Sequence, residues 1–174
     1  MNLESEILKE HSKPQTLKIA RWVGTDAKRF AELMELFLRG EYRVTQRAAW
    51  IVSQCSEAYP KLIGPWLRPM LKKMREIGVH DAVRRNVVRI LQFVEIPRTL
   101  MGEVAADCFG FLNDVHTPAA VKAFSMTVLA RIAQREPDLK QELELVIRQM
   151  LPYGGAAIQA RARQVLKELV KIEK

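Results

Sequence analysis

Three histidines and two cysteines are where catalysis or metal binding would have to begin in this sequence. A metal site needs its ligands gathered at short, defined spacings. His11, His80 and His116 are scattered, and neither Cys55 nor Cys108 has a second ligand within a short motif. Both cysteines occupy apolar positions of helical patterns and read as core thiols. His80 and Asp81 adjoin and have the chemistry of an acid–base pair, yet Asp81 also reads as a helix N-cap. His116 sits before Thr117-Pro118, another cap-like pair. Pro152-Tyr153-Gly154-Gly155 reads as a loop between helices rather than a phosphate-cradling turn. Neither a glycine-rich phosphate loop, nor a Gly-x-Ser-x-Gly elbow, nor a His-Glu-x-x-His helix is present. The expectation is therefore no catalytic residue, no metal and no cofactor.

The elements that would position any site are helices. Val44, Ala48, Ile51, Val52 and Cys55 form a stripe of helical period, and Phe30, Leu33, Met34 and Phe37 form another. Similar stripes run through Ile63 to Met74, Val87 to Val94, and Leu143 to Leu151. Sustained alternation of the strand type is absent. Gly40, Gly78 and Gly154-Gly155 follow these patterns, where a left-handed residue can end a helix.

Self-comparison finds a repeat. Ile51, Val52 and Cys55 are matched by Val87, Val88 and Leu91, by Val128, Leu129 and Ile132, and by Val165, Leu166 and Leu169. A weaker copy is Ile19, Ala20 and Val23. Pro60, Pro97 and Pro137 mark the junctions. The spacing predicts inner helices over 14–23, 44–58, 81–95, 118–135 and 156–171. Outer helices are predicted over 26–39, 61–77, 98–113 and 138–151, with residues 1–12 forming a helical N-terminal cap.

Arg47-Ala48-Ala49-Trp50-Ile51-Val52 through Tyr59-Pro60-Lys61-Leu62 resembles a HEAT repeat, as does Val121-Lys122 through Arg135-Glu136-Pro137-Asp138-Leu139. Asp81-Ala82-Val83-Arg84 resembles the opening of an inner helix in that armadillo-like superfamily. The resemblance implies an all-α, right-handed α-α superhelix of about four to five hairpins, in which neighbouring repeats complete each other's core. It implies one domain over residues 1–174, with stacked hairpins over 13–171 and inner helices lining a concave face.

Charge follows the predicted inner helices. With Lys13 included they hold 14 Lys or Arg against four acids, whereas the whole chain has a net charge of +8. Transferring the register of the buried stripe through the repeats turns Lys18, Arg21, Trp50, Arg85, Asn86, Arg89, Phe93, Arg163, Gln164 and Lys167 toward the concave side. Such a set suits phosphates or an acidic peptide. Lys72 and Lys73, on an outer helix, show that basic clusters also occur elsewhere.

Three function classes follow. The first is a non-catalytic binding or scaffold module for a protein or polyanionic partner. The second is a nucleic-acid binder. The third is an enzyme similar to the HEAT-like alkylpurine DNA glycosylases, a family that grips damaged DNA with aromatics and a carboxylate on a basic concave face. Trp50, Trp22 and Phe93 would supply the aromatics, with Glu57 and Asp81 the nearest carboxylates. Since no inner-helix aspartate lies beside those rings, the binding module is preferred. No apolar run approaches the roughly 18–20 residues of a membrane span, and residues 1–13 lack the apolar core of a signal peptide. A cytoplasmic location is expected, without a membrane partner.

Overall fold

In a computed structural model, residues 1–172 are described, and among them every regular element is helical. The helices are α1 (Leu3–Lys9), α2 (Lys13–Val23), α3 (Ala27–Arg39), α4 (Tyr42–Ala58), α5 (Leu67–Met74), α6 (Asp81–Leu91), α7 (Arg98–Asn113), α8 (Ala119–Ala133), α9 (Leu139–Met150) and α10 (Ala156–Val170). Short 3-10 segments cover Pro60–Trp66 and Leu151–Tyr153. The chain forms two compact units, Met1–Glu95 and a second that begins at Ile96.

In the first unit α4 is the central element, with α2, α3 and α6 packed around it and α1 against one end. Its Val44, Ala48, Ile51, Val52 and Cys55 are buried. So are Thr45, Ser53 and Ser56, because a helix with neighbours on both flanks keeps only a narrow strip in water. The α3 stripe of Phe30, Leu33, Met34 and Phe37 closes the core from the outer side. In the second unit α8 takes the central place, among α7, α9 and α10. Val121, Met126, Val128, Leu129, Ile132 and Ala133 are all buried, so apolar residues run nearly all round this helix.

Local chemistry sets the helix ends. Asn2, Ser12 and Asp26 cap α1, α2 and α3 by accepting backbone N–H groups. The cap of α6 is His80 rather than the expected Asp81. Its Nδ1 accepts the Ala82 N–H at 2.9 Å, while Asp81 stands in the first turn and meets Arg84 at 3.5 Å. At α8 the Thr117 hydroxyl donates to Asp114 Oδ2 at 3.3 Å instead of capping the helix.

Two predicted helices are shortened. Residues Pro60–Trp66 form a 3-10 segment rather than the first turns of a long α-helix, since Pro65 lacks an N–H and its ring crowds the preceding turn. Helix α6 stops at Leu91 and gives way to a turn through Val94, ahead of the Ile96–Pro97 pair, where proline disfavours helical backbone at Ile96. Of the glycines expected to end helices, Gly78 is left-handed, with φ of +75°. Gly40 serves another purpose. A Cβ there would collide with the Leu36 carbonyl oxygen and lie 2.8 Å from Val44 Cγ1, so glycine permits the tight α3–α4 corner.

Candidate binding surfaces on the inner helices

Helices α2, α4 and α6 of the first unit carry six of the expected binding residues, with Phe93 just beyond the end of α6, and the structure divides them. Lys18 Nζ donates to Glu6 Oε2 at 2.8 Å, linking α2 to α1. Gln15 Nε2 reaches the same carboxylate at 2.9 Å. The Lys18 hydrogen bond, then that of Gln15, holds the Glu6 carboxyl down at about 2. Arg21 is exposed and folds back to the Leu17 carbonyl at 3.1 Å. Arg85 is exposed, with no polar partner among the described residues. Trp50 is half-buried, its ring meeting His11 edge-on at 5.7 Å.

Arg89 and Asn86 depart from expectation. Arg89 reaches across to α4, donating to Ser53 Oγ at 2.8 Å and to Glu57 Oε2 at 2.5 Å. Its guanidinium carbon also lies 5.8 Å from the centre of the half-buried Phe93 ring. It joins one inner helix to the next instead of standing free for a ligand. Asn86 is not on the exposed strip at all. It is 4% exposed, and its short amide side chain donates back to the Ala82 carbonyl at 2.8 Å.

Contacts at both ends fix α4 and α6 as parallel neighbours. Gln46 and His80 meet through their Nε2 atoms at 3.2 Å near the helix starts, and Arg89 meets Glu57 near the ends. Because His80 Nδ1 accepts from Ala82, its Nε2 carries the hydrogen, and the Gln46 amide must present its oxygen here. The Tyr42 ring packs edge-on against His80 at 5.7 Å. Arg47 Nη1 donates to the Leu8 carbonyl at 2.7 Å and to that of Ile7 at 3.3 Å. It thus satisfies the otherwise orphaned end of α1.

In the second unit, Arg163, Gln164 and Lys167 are exposed along α10. Arg163 bonds Gln159 at 3.2 Å and Gln164 bonds Glu168 at 3.1 Å, both within the helix. Arg161 crosses to the Thr127 hydroxyl on α8. This repeats the Arg89–Ser53 contact, since an arginine on the later inner helix again donates to a hydroxyl on the earlier one. A Ser or Thr lying 34 to 36 residues before an Arg was the signal for these clamps, and sequence reading passed over it. Burial lowers the pKa of Arg131, on α8, from its ordinary value.

The thiols have no place in a reactive site. Cys55 and Cys108 are fully buried, and burial pushes each up to about 12, so both stay protonated at neutral pH. Among the described residues, no three His, Cys, Asp or Glu side chains gather to hold a metal ion, and no helix is long and apolar enough to cross a membrane.

The HEAT repeat domain family model matches residues 3–169, nearly the whole chain. The chain belongs to that family. Comparison with curated proteins and with solved structures finds no match. HEAT repeat proteins are typically non-catalytic scaffolds for protein interaction. The repeat steps in this HEAT-repeat chain correspond to its alternation of central and outer helices, and the cross-helix arginines lie on that repeat.

Proposed function

We propose that this chain is a non-catalytic binding module in which the inner-helix strip of each unit holds an acidic segment of a protein partner. The observation that carries this reading is the division of the cations. Lys18, Arg47, Arg84 and Arg89 are engaged with carboxylates and carbonyls of their own unit. Arg21, Arg85, Arg163 and Lys167 face solvent and meet no carboxylate among the described residues. In the first unit, half-buried Trp50 supplies an amphipathic anchor of the kind that dominates protein interfaces. An acidic peptide is favoured over a nucleic-acid backbone by the exposed carboxylates on the same helices. Glu57 and Asp81 side chains are 48% and 63% exposed. Isolated side-chain carboxylates can avoid them, whereas an evenly spaced row of phosphates cannot.

The test titrates the chain with a fluorescein-labelled peptide rich in Glu and Leu, and with a single-stranded oligonucleotide of equal charge. Arg85→Glu and Lys167→Glu are made separately, with Lys72→Glu as the outer-helix control. Reversing one contacting charge should weaken the peptide by roughly tenfold, with the control unchanged. Tighter binding of the oligonucleotide, or equal loss in all three variants, would refute the reading.

A further inference from the structure

The second unit has a groove on the side of its outer helices, away from every residue discussed above as a binding candidate. It encloses about 540 Å³ between α7 and α9. Met101, Ala105 and Phe109 of α7 and Leu139 of α9 give it an apolar floor and wall. Four charged side chains line it: Arg98, Glu136, Asp138 and Glu142. Arg98 already pairs with Glu136 at 3.1 Å, which leaves the Asp138 and Glu142 carboxylates without a cation among the described residues. The neighbouring Lys140 does not serve them, because its Nζ donates to the Ile172 carbonyl at 2.8 Å. An apolar trough with a net negative lining thus sits in a chain whose net charge is +8.

The composition of α7 points outward as well. Gly102, Ala106 and Gly110 fall at four-residue intervals along it and are all exposed. Glycine inside a helix costs about 0.5–1 kcal/mol relative to alanine, so it needs a reason. No neighbouring group supplies one, since a Cβ built on Gly102 or Gly110 would meet nothing within 4 Å. The space beside α7 is open, and a bare backbone row there lets another helix come close.

We infer that this groove docks a basic amphipathic helix of a protein partner. Its small apolar face lies along Gly102 and Ala106, and its Lys or Arg residues reach Asp138 and Glu142. The four-residue spacing of these two carboxylates on the α9 side matches one turn of the incoming helix, so cations at i and i+4 can pair with both. Charge complementarity favours this occupant: a basic segment is repelled by the net charge of the chain and attracted by the acidic lining of this groove. The inference stands apart from the proposed inner-helix function and uses none of its residues.

The probe is a fluorescein-labelled, helix-stapled peptide with an Ala/Leu face and Lys at i and i+4. Controls are its Lys→Glu counterpart and a scrambled peptide of the same composition. Binding to the full chain is read by anisotropy and mapped by amide chemical shifts. We expect the basic peptide to bind and to shift α7 and α9 amides. Asp138→Lys with Glu142→Lys should weaken it by about tenfold or more and admit the acidic counterpart instead. Gly102→Leu should abolish both while keeping the native helical signal, since its side chain enters open space. Equal binding of the scrambled peptide, shifts confined to the inner helices, or insensitivity to Gly102→Leu would overturn the inference. So would a free chain that sediments as a dimer and becomes monomeric on Gly102→Leu, because a second copy would then be the occupant.

Discussion

Replacing Arg89 with alanine tests whether this arginine holds two repeats together or merely decorates a surface. The Ser53 hydroxyl it serves is fully buried, and Arg89 Nη1 lies 2.8 Å away. Withdrawing a charged donor from a buried hydroxyl costs about 1–2 kcal/mol. The bond to Glu57 adds about 0.5 kcal/mol, because that carboxylate is half exposed and water screens the pair. The guanidinium–Phe93 contact at 5.8 Å adds about 0.5 kcal/mol at most. Together these give a loss of about 2–3 kcal/mol, which lowers Tm by about 4–12 °C in a chain of this size. Arg85→Ala, on the same helix but without a partner, should stay within about 0.5 kcal/mol of wild type. Urea unfolding followed by far-ultraviolet circular dichroism measures both. In an Arg89/Ser53 double-mutant cycle, Ser53→Ala should cost less in the Arg89→Ala background than in wild type, since the unsatisfied hydroxyl goes with it. Indistinguishable Arg85 and Arg89 variants, or a cycle without coupling, would refute the reasoning.

Gly40→Ala should destabilise by about 1–3 kcal/mol through overpacking, since the new methyl group meets the Leu36 carbonyl and Val44. Gly102→Ala should stabilise by about 0.5–1 kcal/mol from helix propensity alone, and thermal melts of both variants check the contrast. Folding depresses the Glu6 pKa from 4.5 to about 2, so its contribution is full above about pH 4.5 and lost as pH falls toward 2. Melting curves across that window should therefore fall less steeply with acid in Glu6→Gln than in wild type; parallel curves would contradict the Lys18–Glu6 link. Neither thiol should react with a bulky thiol reagent in native protein, and both should react in denaturant. Rapid native labelling of Cys55 would contradict its burial.

The sequence by itself determined the class of fold, the repeat and the core. Apolar stripes such as Val44, Ala48, Ile51, Val52 and Cys55 recur because each hairpin must bury one face against the next, and periodicity records that demand directly. The prolines and glycines also marked most helix boundaries, although not which residue would cap α6. What only the tertiary structure decided was the use made of each polar side chain. Lys18 and Arg85 are both long cations on exposed turns of inner helices, yet one meets Glu6 and the other meets solvent. Asn86 sits at a position that a one-helix register turns outward, and neighbouring packing buries it. Hydrophobic burial is additive along a helix and legible from spacing. A hydrogen bond between residues 32 or 36 positions apart depends on where two helices meet, and helical period carries no information about that.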